Sequence, residues 1–251
     1  MDKLLYVAMS GAKETLATQE ANNYNLANVS TTGFKAALSA FQTRSVAGPG
    51  FASRAYATAG SVGWSDIAGE QQTTGNALDV AVQGAGFIAI QDPSGNEAYT
   101  RAGDLHVDSS GQLVTAGGRP VLSDSGPIAV PPAASVTIGA DGTVSVVGLG
   151  QSPNSVASVG RIKLVNPPPS SSTLVRGSDG LYRSGDGSPL EADANVRLAS
   201  GVLESSNVNL SSCLVNMIEL SRRFELQVRA LHTADEDAQS STKLLQSGAA
   251  P

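Results

Sequence analysis

Apolar residues fall on helical spacing at both ends of this chain and on alternating spacing in between. From Leu210, steps of seven land on Leu210, Met217, Phe224, Leu231, Ala238 and Leu245. Residues three or four further on widen the stripe: Cys213 and Leu214, Leu220, Val228 and Ala234. No glycine or proline interrupts the run before Gly248. This heptad column predicts one long helix over residues 209–245. Arg222, Arg223, Glu225, Arg229, Glu236, Asp237 and Lys243 fall on its other face. Asn207 and Asn209 offer short polar side chains to cap its first free N–H groups. A helix of this length needs partners for its stripe along the whole run.

A second helix is predicted over residues 4–28. Leu5, Ala8, Ala12, Leu16, Asn23 and Leu26 fall on one side, with Asn28 at its end and Met9 and Ala27 beside them. Gln19, Asn22 and Asn23 lie on or next to this seam. A buried amide there costs stability and fixes register, whereas an exposed one is simply solvated. The spacing leaves both readings open. The helix should stop before the turn-rich Ser30-Thr31-Thr32-Gly33.

Residues 34–76 hold few bulky apolar side chains and are broken by Gly48-Pro49-Gly50, so they read as an extended linker with some strand. From residue 77 the pattern turns to β, with strands expected at 78–82, 87–90, 97–101, 105–108, 112–115, 120–122, 128–130, 136–138, 144–147 and 159–165. Turn pairs such as Asp141-Gly142 and Asp179-Gly180 separate strands. Pro167-Pro168-Pro169 with Ser170-Ser171-Ser172 is an inserted loop. The expected fold is therefore α+β. A central all-β domain spans 77–194, after the N-terminal helix of an inner helical domain at 1–33 and the linker at 34–76. A return segment and the C-terminal helix occupy 195–251. Neither end helix has a local hairpin partner, so the termini should pair with each other in a coiled-coil-like domain, with neighbouring copies, or both.

Composition narrows the function. Only 4% of the 251 residues are aromatic and 27 are glycine, which suits short strands and turns more than a dense enzyme core. A net charge of −6 argues against nucleic acid or an anionic membrane as partner. The single cysteine, Cys213, excludes an internal disulfide and sits in the apolar stripe as a packing residue. No run reaches the length of a membrane span. The apolar stretch Leu4-Leu5-Tyr6-Val7-Ala8-Met9 is short for a signal-peptide core, and the helical pattern runs straight through it.

Catalytic signals are weak. Gly84-Ala85-Gly86 has no third glycine at dinucleotide-loop spacing and no helix after it, so it reads as a β-turn. The Asp–Gly pairs lack the run of acidic ligands of a calcium loop. His106 and His232 are the only histidines, and no Gly-x-Ser-x-Gly elbow occurs. Asp235-Glu236-Asp237 reads as a solvated face or an assembly contact. No catalytic residue, cofactor or metal is expected. The rival from another class is a β protein that binds or cuts the cell wall.

Three motifs in order resemble one family. Asn25-Leu26-Ala27-Asn28-Val29-Ser30-Thr31-Thr32-Gly33-Phe34-Lys35 is similar to the signature shared by bacterial flagellar rod and hook proteins. Leu78-Asp79-Val80-Ala81-Val82-Gln83-Gly84 and Tyr99-Thr100-Arg101-Ala102-Gly103 resemble their central β domain. Gly201-Val202-Leu203-Glu204-Ser205-Ser206-Asn207-Val208-Asn209 resembles the lead into their last helix. Within the family, the opening Met1-Asp2-Lys3-Leu4-Leu5-Tyr6 and the run Ser221-Arg222-Arg223-Phe224-Glu225 look most like the proximal-rod type, with the distal-rod or hook type as the alternative. Ser221 stands where such members often carry alanine, and Tyr24 where the broader family commonly carries asparagine.

The resemblance implies a structural subunit of the basal-body rod, not an enzyme. Its partners would be copies of itself and other rod proteins, and it would leave the cytoplasm through the flagellum's own type III export apparatus, without a cleaved signal peptide. It would then polymerise through its terminal helices into the periplasmic drive shaft that transmits torque. The assembly seams would be Leu5, Ala8, Ala12, Leu16, Asn23, Leu26 and Asn28 on the first helix. On the last helix they would be Leu210, Leu214, Met217, Leu220, Phe224, Val228, Leu231, Ala238 and Leu245. Helices without those partners would be frayed in the free chain.

Overall fold

Helical spacing at the two ends becomes helix in the computed structural model. It describes residues 2–45, 55–152, 154–167 and 174–247, with side chains outside 2–4, 40–45, 55–62 and 244–247. The chain divides into two units. Unit one gathers Met1–Ala27, Ala37–Trp64 and Val208–Pro251, and unit two Asn28–Ala36 and Ser65–Asn207.

Unit one holds helix α1 (Asp2–Ala27), an antiparallel hairpin of β1 (Ala37–Ser45) and β2 (Ala55–Trp64), and helix α2 (Leu210–Ser247). The Oδ1 of Asn209 accepts the Ser212 N–H at 2.9 Å, the N-cap bond that starts α2. Asn207, the other expected cap, is used in unit two. The helices pack side by side. They run antiparallel, since Asn22 of α1 meets Cys213 early in α2 while the earlier Thr15 meets the later Gln227. On α2, Cys213, Leu220 and Ala234 are buried and Met217, Phe224, Leu231 and Ala238 half-buried, a seven-residue repeat. The inward positions of α1 are small or polar: among its described side chains, Ala12, Thr15 and Asn22 are the buried ones. Among the described residues the strand content of the 34–76 stretch is this hairpin and the short Gln71–Thr73 of unit two, and Gly48-Pro49-Gly50 lies outside the described residues. Asn25 fastens its start to α1. The Asn25 amide accepts the Ala37 N–H at 2.7 Å and donates to the Ala37 carbonyl at 2.9 Å, imitating one rung of a ladder.

Unit two is built on a five-stranded sheet, in the spatial order Leu164–Val165, Phe87–Gln91, Glu97–Thr100, Tyr182–Ser184, Leu174–Arg176. Ala133–Ile138, Thr143–Gly148 and Val156–Arg161 form a three-stranded antiparallel sheet. The shared core is aliphatic, from Val80, Ile88 and Ile90 through Leu113, Val121 and Val144 to Leu164 and Leu198. Tyr99 is the largest fully buried side chain among the described residues, and its hydroxyl accepts the Leu190 N–H at 2.7 Å.

Two features differ from the expected strands. The single strand at 159–165 is broken, because the N–H groups of Ile162 and Lys163 turn to Gly142 and Leu122; its halves join different sheets. The return segment is itself paired. Arg197–Ser200 runs antiparallel to Val80–Gln83, and Val202–Glu204 to Gln71–Thr73. The Pro–Ser loop lies outside the described residues from 168 to 173.

Candidate functional site

The helices carry more apolar surface than their mutual packing uses. Of the α1 seam, Ala12 is buried and Leu5, Ala8 and Leu26 are half-buried, whereas Leu16 and Asn23 are exposed. Thr15 and Asn22 hold the inward positions beside them because this face meets α2 through side-chain hydrogen bonds. Asn28 lies one residue past α1, in a turn. Of the α2 seam, Leu220 is buried, Met217, Phe224, Val228, Leu231 and Ala238 are half-buried, and Leu210 and Leu214 are exposed. The Leu245 side chain lies outside the described residues.

A second set of apolar residues was not marked by the heptad column. On α2, Val215, Ile218 and Leu226 are 60%, 58% and 63% exposed, on a face expected to be charged. Tyr6 and Met9 on α1 are likewise exposed. Single exposed apolar residues are ordinary, but several on one pair of helices mark an interaction surface. The signal was present as hydrophobic residues off the column. The ion pair there, Arg223 to Glu219 at 3.9 Å, is exposed and contributes little.

In unit two the three motifs converge on one buried carboxylate. Glu204, Lys35 and Arg101 are 1%, 3% and 4% exposed. The Arg101 guanidinium reaches Glu204 Oε2 at 2.7 Å, and its other donors go to the carbonyls of Val82, Gly84 and Gly86. Those two glycine carbonyls belong to the Gly84-Ala85-Gly86 turn. Lys35 Nζ lies 3.2 Å from Glu204 Oε1 and donates to the Ile67 carbonyl at 2.8 Å. The Gly69 N–H donates to the same carboxylate at 2.9 Å. With two cations around one anion, burial and the neighbouring Arg101 charge hold Lys35 below the usual lysine range. Gly33 is fixed twice over. Its φ of +66° suits glycine, and a Cβ there would lie 2.3 Å from the Arg101 carbonyl group. Periodicity gave no hint of this knot. The available clue was charge set among glycines in a charge-poor chain.

Among the described residues, no group of three or more His, Cys, Asp or Glu side chains is placed to hold a metal ion. Cys213 is buried, which pushes its thiol pKa up and leaves it a poor nucleophile. No helix among the described residues is long and apolar enough to cross a membrane.

Residues 81–146 match the family model described as the flagellar hook protein FlgE/F/G D1 domain. Residues 199–244 match that of the flagellar basal body rod FlgEFG protein C-terminal region. The flagellar basal-body rod protein FlgF of Escherichia coli (strain K12) is 42% identical, over 98% of this chain and 99% of that protein. FlgF of Salmonella typhimurium is 41% identical over the same shares. The flagellar basal-body rod protein FlgG of Bacillus subtilis (strain 168) is 33% identical, over 97% of this chain and 99% of that protein. The chain belongs to the flagellar basal-body rod protein family, and within it resembles FlgF more than FlgG.

Proposed function

We propose that this chain is a structural subunit of the proximal rod, polymerising through its terminal helices into a shaft that transmits torque. The observation that carries the reading is the apolar surface left over on α1 and α2: Tyr6, Met9 and Leu16 on one, Val215, Ile218 and Leu226 on the other. Each helix covers one side of the other and keeps a second side for neighbours. The partners are copies of the chain and other rod proteins. A head-to-tail contact that does not close into a ring builds a filament. In the assembled rod the helix pair behaves as a coiled-coil-like inner layer, with the seam residues of both helices covered. Export is through the flagellar type III apparatus and the place of work is the periplasmic part of the basal body. The subunit works by packing, with no chemical step.

The test is Ile218→Asp, a charge placed on an exposed apolar position. The variant should fold as the parent does by circular dichroism, yet fail to restore swimming in a strain lacking the gene. Normal swimming would refute the surface assignment.

A further inference from the structure

The segments by which the chain enters and leaves unit two run side by side in the same direction. The Gly33 N–H donates to the Glu204 carbonyl at 2.7 Å, and further along both segments the Asn207 N–H donates to the Phe34 carbonyl at 3.2 Å. Residue numbers rise together on the two segments, so their pairing is parallel. Side chains add cross-links. Lys35 pairs with Glu204, and Asn207 Oδ1 accepts the Ala36 N–H at 2.7 Å. The Asn207 Nδ2 reaches the carbonyls of Ser65 and Ile67, where the chain re-enters the unit. The Ser65 N–H in turn donates to the Ala36 carbonyl at 2.8 Å. One amide side chain therefore ties together the points of exit, re-entry and final departure.

A pull at Asn28 and Asn207 in opposite senses drags these parallel segments past each other along their length. Every cross-link is then strained at once. Segments pulled apart from a shared end would instead lose their bonds one after another. We infer that residues 33–36 and 204–207 form a mechanical clamp, positioned by Asn207, that resists unfolding of unit two under axial tension. Its use rests on the rod-subunit reading, since only a part that carries force needs it; its existence does not.

The experiment is optical-trap pulling of the full chain, held by its two ends, with the unfolding rate of unit two read at fixed force. A comparison chain carries Cys213→Ser, Ser94→Cys and Ser188→Cys and is pulled through those two turns, where the clamp is not in line. Asn207→Ala should speed unfolding about tenfold under end pulling, equivalent to about 1.4 kcal/mol of barrier, and less than about twofold across the turns. Asn207→Asp, which keeps the acceptor and loses the donors, should fall between parent and Asn207→Ala, and serves if the alanine variant does not fold. Equal acceleration in both directions would reduce Asn207 to an ordinary stabilising residue and overturn the clamp, as would no acceleration under end pulling. Swimming by the Ile218→Asp strain would refute the surface assignment that carries the rod-subunit reading and leave these force measurements standing.

Discussion

The Asn22 side-chain amide of α1 donates to the main-chain carbonyl of Cys213 in α2 at 2.9 Å, and both residues are buried. The seam between the helices is thus held by a directional bond in addition to greasy contact. A buried amide of this kind favours one alignment, because any slip leaves its donor unsatisfied. Asn22→Val should therefore change the unfolding free energy by no more than about 1 kcal/mol while losing uniqueness of pairing. Sedimentation at rising concentration should reveal a higher-mass species absent from the parent. A variant whose mass distribution matches the parent's at every concentration would count against the amide as a register lock.

The Glu204 knot makes a sharper demand. Glu204→Gln leaves Lys35 and Arg101 buried side by side without a counter-charge, and should cost about 3–5 kcal/mol in urea unfolding of unit two. Adding Lys35→Met removes one of the stranded cations and should restore part of that loss. The two changes should be non-additive by more than about 0.5 kcal/mol. Strict additivity would mean that the three side chains do not share one electrostatic site.

Gly33 tests the same knot through the backbone. Gly33→Ala meets both an unfavourable φ and the Arg101 carbonyl, and should cost about 2–5 kcal/mol. Gly118→Ala is the control, because Gly118 has a similar φ of +71° with nothing within 4 Å of its Cβ position. It should cost only about 1–2 kcal/mol. Equal costs would show that close approach at Gly33 is unimportant.

Much of the architecture could be read from spacing alone. From Met217 to Ala238 the seven-residue column on α2 is half-buried because apolar residues repeat on it without a break, whereas Leu210 at its start is exposed. The inward face of α1 is less legible, since helical spacing places Leu16 and Asn23 in line with Leu26, while packing selects Thr15 and Asn22 for their hydrogen bonds. The strands Tyr182–Ser184 and Val202–Glu204 leave no alternating pattern in the sequence, because each is three residues long and carries a charge. Lys35, Arg101 and Glu204 entered only as letters within motifs. Their meeting depends on contacts far apart along the chain, which no local period records.

Acid–base behaviour supplies another test. Asp104 has a buried Oδ1 without a hydrogen-bond partner, and burial, followed by repulsion from Asp79, raises its carboxyl above the usual aspartate range. The folded chain therefore holds this proton more tightly than the unfolded chain. Above the raised pKa, the charged Asp104 detracts from stability, and the deficit shrinks as pH falls from there toward the ordinary value of 3.8. Asp104→Asn should raise the melting temperature at neutral pH, with the gain over the parent narrowing on acidification through that window. A gain that is independent of pH would assign the effect to something other than this titration.

The parallel segments also order events in time. Glu204 and Asn207 close unit two onto residues 33–36, yet they come near the end of the chain, just ahead of α2. A ribosome must read past residue 207 before the β unit can lock. Until then its core strands lack their fastening to the earliest loop, and the nascent chain stays pliable. Closure late in synthesis gives any machinery that handles the unfolded chain an interval in which to seize it.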